Sequence, residues 1–331
     1  MHSPDSASTW VDVELAAAAR RVLESYCEVK PGEEVLIVTD TRSDMAVCRA
    51  LQGAALAAGA IPTMAVMPVT RWAGDDPPAT IDGALERATL VLGVTHFSLG
   101  HSPTVKGRLA DGSIRFVSMP GVDSSQMLTG ANSADYDEVQ RIGEALAKVV
   151  SAGSEIHVTT ALGTDFTGDI SGMPAKIDAA MAREMGQIGC FPGGEVFQAP
   201  RDGSVNGRIV VDRTIAMIGL LEAPVTYEVE NGYVTEISGG ADAERLRGLI
   251  DGIDNADHVG ECAFGINPEA GITGNVSEDK KAWGTIHVAL GDNLMYGGST
   301  PSDIHLDGVI SRPTVEIDGV AVVADGQILT S

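Results

Sequence analysis

Four side chains in the last quarter of the chain, Glu261, His287, His305 and Asp307, are metal-ligand types set in otherwise apolar, glycine-rich surroundings. The tightest pair is His305-Leu306-Asp307. Residues i and i+2 of a strand point to the same face, so an imidazole and a carboxylate at this spacing can grip one ion from one side. A second strand-like run, Thr285-Ile286-His287-Val288-Ala289-Leu290, carries another histidine just upstream. Imidazole nitrogen mixed with carboxylate oxygen suits hard or borderline divalent cations. The chemistry this implies is that of a metalloenzyme, although each histidine taken singly is also compatible with an ordinary hydrogen-bonded core imidazole.

Further residues could join such a site. In Phe191-Pro192-Gly193-Gly194-Glu195 the glycines permit tight turning and close backbone approach, which could aim Glu195 into a cleft; a solvated surface carboxylate is the alternative. His96 and His101 follow the apolar run Leu90–Val94, at the strand end where α/β sheets bind ligands. Lys280 and Lys281 could meet a substrate carboxylate, but paired lysines more often form a solvated face. Cys27, Cys48, Cys190 and Cys262 have no C-x-x-C spacing, which predicts buried reduced thiols rather than a zinc ribbon or a disulfide framework. The chain has neither a G-x-x-x-x-G-K-[ST] loop nor a G-x-S-x-G elbow, so nucleotide hydrolysis and serine catalysis lack support.

The elements that must position these groups change character along the chain. Apolar spacing over Val11–Glu28 predicts a first helix. Val35–Thr39 then reads as a strand buried on both faces, Met45–Ala58 as a helix closed at Gly59, and Pro62–Met67 as a strand. A helix ending at Ala84–Ala88 and strands at Leu90–Val94 and Ile114–Ser118 continue the alternation, which predicts a parallel sheet with right-handed crossovers. After a helix over Tyr136–Val150, Ser151-Ala152-Gly153-Ser154 is a natural boundary. Short strands broken by glycine turns follow, among them Ile156–Thr160, Gly207–Val211, Val225–Val229 and Val315–Val323, with a hairpin at Asn231-Gly232 and one helix at Ala241–Ile250. The expected organisation is an α/β domain with a parallel sheet over residues 1–150, followed over residues 151–331 by an α+β domain rich in antiparallel strands that holds the ligand candidates.

With 331 residues the chain is long enough for two cores. Its 22 basic and 46 acidic residues give a formal charge of -24, which repels phosphate backbones and anionic lipid surfaces. No apolar run approaches the roughly 20 residues a membrane span needs, and Met1–Ser6 lacks the pattern of a signal peptide. These features predict a cytoplasmic protein with neither nucleic acid nor membrane as partner.

Five segments occur in one order: Gly163-Thr164-Asp165; Pro192-Gly193-Gly194-Glu195-Val196-Phe197-Gln198-Ala199-Pro200; Gly260-Glu261-Cys262-Ala263-Phe264-Gly265-Ile266-Asn267; Gly284-Thr285-Ile286-His287-Val288-Ala289-Leu290-Gly291; and Ser302-Asp303-Ile304-His305-Leu306-Asp307. Together they resemble the metal-binding motifs of the aminopeptidase T (M29) family of metallopeptidases. The resemblance implies that Glu195, Glu261, His287, His305 and Asp307 ligate two divalent ions (zinc, cobalt or manganese), with Glu261 bridging. It also gives Glu195 and Glu261 catalytic parts, while Asp165 enters only by analogy. Two ions about 3.5 to 4 Å apart can activate a water and polarise a carbonyl, which implies hydrolysis of an amide-type C–N bond in a small molecule or short peptide. A homodimer is implied as well. In that family a catalytic tyrosine follows the first motif histidine; here Tyr296 offers itself in a shifted register.

The 2,5-dihydroxypyridine 5,6-dioxygenases form a second branch of the same superfamily. They resemble this chain in size and in the texture of Val234-Thr235-Glu236-Ile237-Ser238-Gly239-Gly240, and they use one ferrous ion held by two histidines and an aspartate. That branch has histidine in place of Glu261, lacks the carboxylate after the double glycine, and differs around His287. This chain keeps the hydrolase residues at all three places, so the resemblance favours hydrolysis. The alternative is a mononuclear iron site recruiting His258 or His287 beside His305 and Asp307.

Overall fold

The computed structural model describes residues 6–329. By contact the chain forms two compact units, one running up to Tyr136 together with Ala179–Gly193, the other comprising Asp137–Asp178 together with Gly194 onward.

The first unit opens with α1 (Ser6–Arg21), which continues through a π-helical turn over Val22–Tyr26. The alternation expected from the sequence then unfolds as β1 (Glu34–Asp40), α2 (Met45–Ala57), β2 (Ile61–Met67), α3 (Ala79–Leu85), β3 (Leu90–Val94), α4 (Pro103–Ala110), β4 (Arg115–Ser118) and the single turn α5 (Ser124–Met127). Asp44 caps α2 by accepting from the Ala46 amide, and Gly59 leaves it at φ 81°, a conformation glycine adopts without a Cβ penalty. The strands pair in parallel, in the order β2-β1-β3-β4. Leu36, Val38, Val91 and Phe116 pack with Ile81, Leu85 and Val105 of the helices in one apolar core. Gly93 is small because the Phe116 ring lies where a Cβ would stand.

The second unit begins with α6 (Tyr136–Ala152), then β5 (Glu155–Thr159), β6 (Asp165–Asp169) and β7 (Lys176–Asp178). The next strand, β8 (Ile188–Cys190), belongs to the first unit: it pairs in parallel with β4 and makes the fifth strand of that sheet. The sequence suggests a single cut after residue 150, whereas the chain returns to the first unit at Ala179–Gly193; three residues with a glycine at their centre carry too little periodicity to mark β8 as a strand. The remaining strands are β9 (Glu195–Gln198), β10 (Asn206–Val211), β11 (Thr214–Ile215), β12 (Gly219–Leu220), β13 (Val225–Glu230) and β14 (Tyr233–Ser238). After α7 (Gly240–Ile250) come β15 (Val259–Gly265), the turn α8 (Val276–Asp279), β16 (Ile286–Gly291), β17 (His305–Ile310), β18 (Thr314–Ile317), β19 (Val320–Ala324) and β20 (Gln327–Ile328).

They build two antiparallel sheets, β14-β13-β10-β6-β5-β18-β19-β20 and β12-β11-β17-β16-β15-β9-β7. The apolar stretch Val315–Val323 is thus a hairpin of two strands, turned at Asp318-Gly319 where both residues take positive φ. The sheets meet inside the second unit, where Gly308 of β17 lies against Val211 and the Tyr227 hydroxyl. Fold class and strand character are those the sequence implies. No helix among the described residues is long and apolar enough to cross a membrane.

Candidate metal centre

Register and strand alternation assemble the site on one face of the second antiparallel sheet. Glu261, Ala289 and Asp307 stand directly opposite one another across β15, β16 and β17, while Ala263 and His287 form the neighbouring row and Gly291 faces His305 on the other side. Glu195 starts β9 opposite Gly265. Every second residue shares a face, so these charged groups point the same way, and Ala263, Ala289 and Gly291 leave them room. The register slips between Val259 and Glu261, a bulge that re-aims the following carboxylate. At Gly194, φ is 121° and a Cβ would collide with Asn267; its amide donates to the Asp178 carbonyl and its carbonyl accepts from the Ile266 amide. That close approach is why glycine precedes Glu195.

Five residues named from the sequence therefore converge. His305 Nε2 lies 2.9 Å from Glu261 Oε2 and 3.4 Å from Asp307 Oδ1. His287 Nε2 lies 3.4 Å from Glu195 Oε2, 3.7 Å from Glu261 Oε1 and 3.9 Å from Asp307 Oδ1. One ligand atom each from Glu261, His305 and Asp307 falls within a 4.8 Å span. The Asp292 carbonyl, 2.8 Å from His305 Nδ1, accepts the Nδ1 proton, so Nε2, here hydrogen-bonded to Glu261, is the nitrogen that an ion would take. Tyr296, in a 3-10 turn over Leu294–Tyr296, stacks on the His305 ring with centroids 4.5 Å apart and planes at 3°.

The lysines are not a solvated face. A buried Asp279 accepts from Thr273, Gly274 and Thr214, fixing the α8 turn so that the next two residues face the cluster. Lys281 Nζ lies 2.5 Å from Glu195 Oε1 and 3.4 Å from Asp178 Oδ2. Lys280 Nζ lies 3.2 Å from Asp307 Oδ2 and 3.7 Å from Glu195 Oε2. Asp178, opposite Glu195 on β7, carries no local signal that would reveal it in the sequence; only strand pairing brings it here.

Burial drives each of these groups toward its neutral form, and the neighbours reverse it. Burial raises the Glu195 carboxyl, but Lys280, Lys281 and His287 outweigh it and hold it down at about 2. Burial raises the Glu261 carboxyl, but the imidazoles of His287 and His305 against its two oxygens outweigh that and lower it. Asp307 is held well below the usual carboxylate range by Lys280 and His305, again against burial. Burial lowers the His305 imidazole, yet the carboxylates of Asp307 and Glu261 beside it carry it up to about 10. Burial and then Glu261 keep the Tyr296 phenol well above its ordinary value.

Whether these residues fit a metal is decided by what they lack. Glu195 Oε2, Glu261 Oε1, both ring nitrogens of His287 and Asp307 Oδ1 are buried without a hydrogen-bond partner. Buried polar atoms are ordinarily satisfied, and the three carboxylate oxygens, all within 3.9 Å of His287 Nε2, form with that nitrogen a set of orphans that fits a bound cation. The other candidates lie elsewhere. His258 packs on Tyr233 with Nε2 3.6 Å from Asp202, and Asp165 pairs with His157 at 2.9 Å. His96 belongs to the first unit, where its amide donates to Asp40 and its ring meets Phe97; His101 lies in the same unit. Among the described residues all four cysteines are free; Cys27, Cys48 and Cys262 are buried, while Cys190 is half-buried.

A buried, carboxylate-rich cluster on a sheet of this topology defines the class: an enzyme that depends on a metal. The chain belongs to the 2,5-dihydroxypyridine 5,6-dioxygenase (NicX) family, whose description matches residues 14–330. It is 27% identical over 267 residues to the 2,5-dihydroxypyridine 5,6-dioxygenase of Pseudomonas putida KT2440, spanning 74% of this chain and 72% of the relative. The 2,5-dihydroxypyridine dioxygenase structure from that organism superposes with a TM-score of 0.82 at 23% identity, covering 97% of this chain and 98% of the other. Wild-type AmpT from Thermus thermophilus shares the fold at a TM-score of 0.67 and 19% identity, covering 96% and 99%. Family membership therefore falls on the branch that the motifs placed second, within a fold common to both.

Proposed function

We propose that this chain is a metal-dependent hydrolase that cleaves an amide-type C–N bond of a small substrate. The observation that carries this reading is the donor set: three buried carboxylates, Glu195, Glu261 and Asp307, stand with two histidines around the orphaned atoms. An iron oxygenase site of the usual kind needs two histidines and a single carboxylate, whereas a hydrolytic centre uses additional carboxylates to ligate, to orient water and to take its proton. Glu261, His305 and Asp307 would hold the ion, with His287 beside them. When bound, the ion would supply Lewis acidity and lower the pKa of a water ligand.

The chain's own groups would do the rest. The Asp292 carbonyl fixes the His305 tautomer. Glu261 has one oxygen against each histidine, which places a carboxylate at the centre of the cluster as proton acceptor. Tyr296, held flat on His305 with its phenol kept protonated, can donate a hydrogen bond to an oxygen that gains charge during cleavage.

The second reading is ring cleavage of a dihydroxypyridine-type substrate at one ferrous ion. His287, His305 and Asp307 supply two imidazoles and a carboxylate, with Nε2 atoms 3.9 and 3.4 Å from Asp307 Oδ1, and the Pseudomonas putida relative favours it. One experiment separates the two: purified protein reconstituted with Zn²⁺, Mn²⁺, Co²⁺ or Fe²⁺ is assayed with a panel of aminoacyl anilides and small cyclic amides, and with 2,5-dihydroxypyridine in an oxygen electrode. Amide turnover without oxygen uptake supports hydrolysis; iron-specific oxygen uptake sinks it in favour of the second reading.

A further inference from the structure

The geometry points to Lys280 as a built-in cation that restricts the centre to a single metal ion, an inference that rests on reading the cluster as a metal site, whichever reaction it serves. Lys280 Nζ lies within 3.7 Å of Glu195 and Asp307 and Lys281 Nζ within 3.4 Å of Glu195 and Asp178, and Glu261 adds a fourth buried carboxylate. With His305 neutral, as a metal ligand must be, these four carboxylates and two ammonium groups leave two negative charges over. One divalent ion neutralises them, while a second would leave two positive charges in a buried space, where unbalanced charge is expensive.

The positions agree with this count. Asp307 divides its oxygens: Oδ1 faces His305 and His287 without a hydrogen bond, whereas Oδ2 accepts from Lys280. Glu195 likewise gives Oε1 to Lys281 and turns Oε2 toward Lys280 and His287. The Lys280 ammonium therefore stands between Glu195 and Asp307, on the side of the cluster that a second ion sharing those carboxylates would need. Glu261, His305 and Asp307 Oδ1, the three donors that fall within 4.8 Å, keep the other side for one ion. Lys281, tethered by Asp178, holds Glu195 through Oε1 and leaves only Oε2 toward the cluster. The sequence-based expectation of two ions bridged by Glu261 omits these ammonium groups.

The test is metal stoichiometry, a readout independent of turnover. Metal-free protein is titrated with Mn²⁺, with free and bound ion measured by electron paramagnetic resonance and total metal by elemental analysis. Wild type is expected to saturate at one equivalent with no exchange-coupled signal. Lys280→Met, and Lys280→Gln as a second variant should the first fail to fold, are expected to take up a further ion. Saturation of wild type at two equivalents overturns the inference, and so does a folded Lys280 variant that still binds one. Wild type that binds no ion overturns the metal-dependent reading itself, which distinguishes the two failures.

Discussion

Replacing Lys281 by methionine removes a cation that is 3% exposed from between Glu195 and Asp178, leaving two buried carboxylates short of compensation. Breaking a buried ion pair by deleting one member costs about 3–5 kcal/mol. The depression of Glu195 from 4.5 to about 2 corresponds to roughly 3 kcal/mol at 1.36 kcal/mol per unit. Because Lys280 remains beside Glu195 and continues to attract it, a loss of about 3 kcal/mol, at the low end of the range, is expected in metal-free protein at pH 7.5. For a unit of roughly 150–250 residues this lowers the melting temperature by about 6–12 °C.

The pH dependence follows from the sign of the shift. A carboxylate whose folded pKa lies below its unfolded value stabilises the fold above the unfolded pKa, here 4.5, and loses that contribution as pH falls through the folded value. The gap between wild type and Lys281→Met should thus be full at pH 7.5 and shrink to about half near pH 3. Urea unfolding of both metal-stripped proteins across this range measures it. A variant within 0.5 kcal/mol of wild type at pH 7.5, or a gap that does not narrow on acidification, would refute the argument that Lys281 neutralises Glu195.

Glu261→Gln keeps the size of the central side chain but halves its ligating capacity; its metal affinity by calorimetry should drop by more than the roughly 10–100-fold lost with an outer-shell partner, and unchanged binding would remove Glu261 from the ligand set. Tyr296→Phe preserves the stacked ring and deletes the donor, so turnover should fall by about 10²-fold with metal content unaltered; equal kcat denies the hydroxyl a part in the reaction. Away from the centre, the hydrogen bond to Asp165 raises the His157 pKa above 6.5, with Glu316 adding to it. A raised histidine stabilises below its unfolded pKa, and that contribution disappears as pH rises through the folded value. Proton NMR should therefore place the His157 midpoint above 6.5 and bring it down in Asp165→Asn; a midpoint at or below 6.5 contradicts the pairing.

Much of this protein is determined locally and can be read from the chain. Continuous apolar runs such as Val35–Thr39 announce strands covered on both faces, and glycines at Gly59 and Asn231-Gly232 mark where backbone must turn through positive φ. The i, i+2 spacing of His305 and Asp307 guarantees a shared face once the segment is extended, and that much needs no partner strand. Which groups they meet is another matter. Only pairing register sets Glu261, Ala289 and Asp307 in one row, and one bulge before Glu261 decides where that carboxylate aims. Only the Asp279-anchored turn swings Lys280 and Lys281 into the cluster, against the usual habit of adjacent lysines to face water. His258 shows the converse: a histidine three residues from Glu261, ligand-like in sequence, is drawn instead to Asp202 and the Gly291 carbonyl. Periodicity fixes direction within a segment, but charge balance in a buried site is a sum over segments remote in sequence, and that sum exists only after the sheet has formed.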